Sequence, residues 1–128
     1  MDYYLSKPVA GAYDKVVAKV REALAAQGFG VLTEIDIAAT LKKKLDVDWR
    51  PYCILGACHP PSAYAGLQSE AHLGAMLPCN VCIQQTAPGQ CEVFAIDPAR
   101  IAESTGNPAL DATAADVRAR LDRMLASL

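Results

Sequence analysis

An α+β fold, with helices packed on one mixed or antiparallel sheet, is predicted by three features of the sequence. Apolar residues recur at helical three- and four-residue spacing near both ends of the chain. Short β-rich runs lie between them, and glycine, proline and asparagine close most runs. The resulting order is β-α-β-α-β-α-β-β-α-α, two layers with helices on a single sheet.

Tyr3 to Ser6 reads as a first strand stopped by Pro8 and Gly11. A helix follows, with Tyr13, Val16, Val17, Val20 and Leu24 on its buried stripe and Gly28 just past its end. Phe29 to Ile35 is the second strand, alternating Phe29, Val31, Thr33 and Ile35 against Gly30, Leu32 and Glu34. Asp36 caps a short helix in which Ile37, Leu41 and Leu45 face inward and Lys42, Lys43 and Lys44 face water. Trp49, in the loop from Asp46 to Pro51, reads as a plug over the sheet.

Tyr52 to Cys58 is apolar at nearly every position, as expected of a strand covered on both faces or central in its sheet. His59-Pro60-Pro61-Ser62 starts a helix, His59 at the cap and Pro60 where its missing N–H costs nothing, with Ala63, Leu67 and Tyr64 as its packed positions. Asn80 to Thr86 and Cys91 to Ile96 form a hairpin across Ala87-Pro88-Gly89-Gln90. Asp97-Pro98 opens a helix to about Ser104, which Gly106-Asn107-Pro108 breaks. The last helix begins near Thr113, with Asp116 completing a capping-box pair, and carries the stripe Val117, Leu121, Met124, Leu125 and Leu128.

With 128 residues, 52% apolar and 20% charged, the chain can bury a core as a single domain over residues 1–128. A net charge of −2 with scattered basic residues disfavours nucleic acid as a partner. The start of the chain lacks a basic and apolar leader, and no run reaches membrane-spanning length, so a soluble cytoplasmic protein is expected. The five cysteines cannot all pair within the chain and are expected as thiols.

Four of the five cysteines and both histidines lie between Tyr52 and Cys82. Cys58, leaving a strand just before a helix start, sits where the helix dipole favours a thiolate. Pro60 and Pro61 remove two N–H groups there and the apolar surroundings oppose ionisation, so a packed, inert Cys58 is the preferred alternative. Cys79-Asn80-Val81-Cys82 has the spacing of a zinc knuckle or a redox dithiol. Zinc on Cys58, His59, Cys79 and Cys82 is the less favoured reading, because side chains three apart in a strand point to opposite faces, and no cofactor is expected. Cys53 and Cys91 read as core. His59 is a helix cap before it is a ligand or base, and His72 is a surface residue. Nucleophile-elbow glycines and phosphate loops do not occur, and the carboxylates are dispersed over helix faces.

Ile54-Leu55-Gly56-Ala57-Cys58-His59-Pro60, then Ala63, Leu67 and Leu77-Pro78-Cys79-Asn80-Val81, resemble the signature of the DUF302 family of small bacterial and archaeal domains. That signature reads I-L-G-A-C-N-P, an alanine and a leucine in the next helix, and L-P-C-N-V. The likeness extends from about Tyr13 to Pro98. It implies a two-layer α+β fold and a homodimer, and it places the signature cysteines on Cys58 and Cys79 and the Asn-Val pair on Asn80-Val81. His59 departs from the asparagine of the signature; both residues can cap a helix, but only histidine titrates near neutral pH or binds a metal. No molecular function follows from the resemblance.

Two functions are therefore expected in order of preference. The first is a non-catalytic, dimeric binding or assembly module, with a small ligand held near Cys58, His59, Cys79 and Asn80. The second is a thiol-dependent redox or sulfur-transfer activity in which Cys58 attacks and Cys79 resolves or accepts.

Overall fold

The computed structural model describes residues 2–128. The chain runs β1 (Tyr4–Ala10), α1 (Tyr13–Ala26), β2 (Gly30–Asp36), α2 (Ile37–Leu45), β3 (Tyr52–Cys58), α3 (Pro60–Ser69), β4 (Cys79–Ala87), β5 (Gln90–Ile96), α4 (Pro98–Thr105) and α5 (Asp111–Ala126). Short 3-10 turns at Ala71–Met76 and Pro108–Leu110 complete it. The strands form one five-stranded sheet in the order β1-β5-β4-β3-β2, and every neighbouring pair is antiparallel.

The two longest helices bury the stripes that their spacing predicts. Val16, Val20 and Leu24 of α1 meet Val117, Leu121, Met124 and Leu125 of α5 in one cluster with Leu55, Val81, Ile83 and Val93 of the sheet. Gly28 (φ 84) ends α1: its N–H reaches the Ala25 carbonyl and the Phe29 N–H reaches Leu24, the paired bonds of a Schellman cap. Because side chains alternate along a strand, Cys53, Leu55 and Ala57 of β3 and Cys79, Val81 and Ile83 of β4 share this helix-covered face. Cys53 and Cys91 are buried, as core residues should be.

Several expectations are corrected. β1 runs on through Pro8 to Ala10, because it is an edge strand and its proline needs no ladder donor on the outer side. The alternation of β2 breaks at a bulge between Val31 and Thr33, so that Val31 lies opposite Ala57 and Thr33 opposite Gly56, on different faces. Trp49 is no plug: it is 47% exposed and stacks on the Arg50 guanidinium. α2 buries none of its residues, and Leu45 is exposed. In α3 the buried position is Gly66, where a Cβ would meet Leu73 at 2.6 Å, while Tyr64 and Leu67 face water. α5 starts at Asp111 without a side-chain cap, directly from the 3-10 turn that Asn107 caps, and Asp116 bonds Arg120 instead of Thr113. β3 takes the second of its two expected forms, an interior strand between β2 and β4, with α1 and α5 packed on one face.

Candidate functional site

β3 delivers Cys58 to the end of the sheet, and the chain passes through His59 directly into α3. β4 begins beside it, with Cys79 opposite Ala57. Leu77-Pro78 turns the chain into that register, so Cys79 points to the helix-covered side and is buried. Cys58 and Cys79 therefore sit on adjacent antiparallel strands, one step out of direct register. Both line a partly open cavity of ≈ 70 Å³ walled by α3, the 3-10 turn after it, α4 and the first two turns of α5. Phe29, Leu73, Leu77 and Ile101 supply apolar wall; His59, Ser62 and Thr113 supply the polar atoms.

His59 occupies the cap position of α3, but its side chain makes no capping bond to the backbone. Its Nδ1 lies 2.6 Å from Ser62 Oγ instead. The ring packs edge-on against Phe29, 5.9 Å between centroids, and over the Gly28 backbone. Burial holds the imidazole below its ordinary pKa, the Arg120 guanidinium adds to this, and Asp116 opposes it. Arg120 is itself tied to the Gln27 carbonyl and to Asp116, each at 3.0 Å. A neutral His59 beside Ser62 is the form this geometry favours.

The thiols divide by depth. Burial raises the Cys79 pKa to about 11, with a contribution from neighbouring Cys58. Burial raises Cys82 to about 12, with Cys53 adding to it, and also lifts Cys53 and Cys91. Cys58 alone is half-exposed, and all five are free. Cys82 lies opposite Ile54 and Phe94, on the sheet face away from Cys79, so the four residues of the zinc set are not brought together. Among the described residues no group of three His, Cys, Asp or Glu side chains is placed to hold a metal ion.

Asn80 also leaves the constellation. It pairs with Gly56 on the face away from the cavity and lines a separate open hollow of ≈ 400 Å³ with Tyr3, Arg100 and Ser104. The structure thus joins Cys58, His59 and Cys79, removes Asn80 and Cys82, and adds Ser62 and Thr113. Ser62 was open to inference from sequence, since residues three apart meet on a helix turn. Thr113 had no local signal. His72 is on the surface as expected, its side chain 96% exposed beside Glu70.

The comparisons with known proteins agree with the fold. A family model described as domain of unknown function DUF302 matches residues 5–128. A solved structure titled as an uncharacterized conserved protein DUF302 from Bacillus stearothermophilus is 27% identical, covers 98% of each chain and superposes with a TM-score of 0.90. Comparison with curated proteins gives no match.

Proposed function

The chain belongs to the DUF302 family, and from that premise we propose that it is a homodimeric binding module whose cavity, under Cys58 and Cys79, holds a small ligand. The observation that carries this reading is that two signature cysteines from different strands meet one largely apolar cavity. A volume of ≈ 70 Å³ is about half that of the ~150 Å³ apolar cavity that binds benzene, so the occupant is a small, largely apolar molecule of about two to four heavy atoms. His59 and Ser62 offer its polar end a hydrogen bond. The module acts without catalysis: Pro60 and Pro61 supply no N–H, and that of Ala63 is held by the His59 carbonyl, leaving few donors to stabilise a developing anion. Five free thiols suit the reducing cytoplasm as its compartment. Among the described residues no helix is long and apolar enough to cross a membrane.

Xenon is a direct probe of such a cavity. Under xenon pressure the amide resonances of Ala57, Cys58 and Cys79 should shift, and Ala63→Leu, which fills the cavity, should abolish the response. Unmoved resonances at these three positions would refute the reading. Native mass spectrometry of protein purified without oxygen or chelator then reports any retained ligand.

A thiol activity is the second reading, favoured by the half-exposed Cys58 beside Cys79. A peroxide would be cleaved by the Cys58 thiolate, giving the sulfenic acid and hydroxide; attack by Cys79 would form the disulfide and release water. The expected product is a peptide pair joining Cys58 to Cys79, two hydrogens lighter. Sulfinic acid at Cys58 with Cys79 left reduced would sink it.

A further inference from the structure

We infer that the sheet face turned away from α1 and α5 is the surface on which a second copy of this chain docks. The inference rests on the homodimer part of the reading above and names its interface. β3 is apolar at both alternations, Tyr52, Ile54 and Gly56 on one side and Cys53, Leu55 and Ala57 on the other. The chain's own helices use only the second set. An antiparallel sheet with one face in water ordinarily alternates apolar and polar residues, and here the alternation fails.

The register shows how the face is built. Ile35, Ile54, Cys82 and Phe94 lie side by side across β2, β3, β4 and β5, and none of them belongs to either buried cluster. Tyr52 and Tyr4 stack edge-on against Phe94, at 5.9 and 6.3 Å, which widens the apolar band. Ile35 is 46% exposed and Tyr4 36%. Leu45, Val47 and Trp49, also exposed, follow β2 in the chain, and α2 lies beside β2 and β3.

Charge selects the occupant. Among the described strand residues on this face the one charged side chain is Glu92, whose carboxylate accepts from Gln84 Nε2 at 2.8 Å. A two-fold pairing of the face with itself therefore meets almost no like-charge repulsion across the strands, and on its flank Arg50 is engaged by Gln84 Oε1 and the Trp49 ring and Lys42 by Asp46 and Asp48. The size agrees. Five strands ~4.8 Å apart and ~23 Å long give a footprint of roughly 550 Å², which the relief of the side chains and the flank at Trp49 bring toward the ~800 Å² per partner of a standard interface. Two such faces would stack about 10 Å apart, as in a sandwich.

Sedimentation equilibrium of the whole chain tests this, with Ile35→Lys, Ile54→Lys and the control Tyr64→Lys on α3. The wild type and the control should be dimers, and each lysine in the band should weaken association by about 100-fold, since it buries an unpaired charge. Ile35 lies on an edge strand and is half-exposed, so its variant should keep a cooperative thermal transition; Ile35→Asn is the milder companion should either lysine variant lose it. A dimer unaffected by all three band variants would overturn this interface while leaving the homodimer intact. A wild-type monomer at every concentration would overturn the homodimer and the interface with it, as would a wild type that associates only with a different protein.

Discussion

The Thr33 side chain lies directly over Gly56: a Cβ on Gly56 would overlap Thr33 Oγ1 and stand 2.8 Å from Pro78 Cγ. The bulge in β2 sets this contact by turning Thr33 to that face. Gly56 of β3 is thus required by two neighbouring segments at once, β2 and the residue before β4.

Gly56→Ala should cost about 1–3 kcal/mol of stability through overpacking. Adding Thr33→Ala should recover part of that loss, Pro78 retaining the rest. Urea midpoints with an unchanged slope provide the measure; a Gly56→Ala protein as stable as wild type would show that the close approach is absent.

The pH dependence follows from His59. Its folded-state pKa lies below the unfolded value, so the unfolded chain binds more protons as the pH falls through that gap. Stability should be independent of this group well above the ordinary histidine pKa and decline as pH drops below about 6.5 toward the folded value. His59→Asn removes the titration and should flatten the profile there. The Arg120-paired Asp116, whose pKa is lowered, loses its contribution only as pH falls into the carboxylate range, which keeps the two effects apart. A variant with the wild-type slope between neutral and mildly acidic pH would assign that slope to another group.

Thiol accessibility should separate the cysteines in the native state. Iodoacetamide is expected to modify Cys58 first, since the other four are buried and their pKa values raised. Peptide mass spectrometry over time should show Cys53, Cys79, Cys82 and Cys91 reacting only on unfolding. Equal rates at all five would contradict the packing described.

Asp97 is buried, accepts from the Ala99 N–H at 3.0 Å and from Arg118 Nη1 at 3.1 Å, and so joins α4 to α5. Asp97→Ala should cost about 2 kcal/mol through loss of the cap and the charge-assisted bond. Asp97→Asn, which keeps a capping oxygen, should cost about half as much. Equal losses for the two variants, measured by thermal unfolding, would place the whole effect on the charge.

What could be read from the residues was whatever acts locally along the chain. The stripe of α1 with Gly28 at its end, the stripe of α5, the β4–β5 hairpin and the proline-started α3 and α4 all rest on side-chain period, backbone φ or a missing N–H, which are properties of a few neighbours. Cys58 and His59 were adjacent by local signal, a strand leading into a helix, whereas Cys79 was joined to them only by the family signature, and the fold brings all three to one cavity.

The tertiary structure decided what depends on distant segments. Pro8 could remain within a strand because β1 lies at the sheet edge, and the strand order is settled by pairings far apart in sequence. Asn80 parted from Cys79 because sheet register gives adjacent residues opposite faces, whereas Ser62 and Thr113 joined the cavity from two helices that meet only after folding. The amino-acid sequence by itself determined the helices, the turns and the apolar character of both sides of β3. Which side received α1 and α5 was left to the packing of the whole chain, because burial is a property of the assembled layers rather than of any one strand.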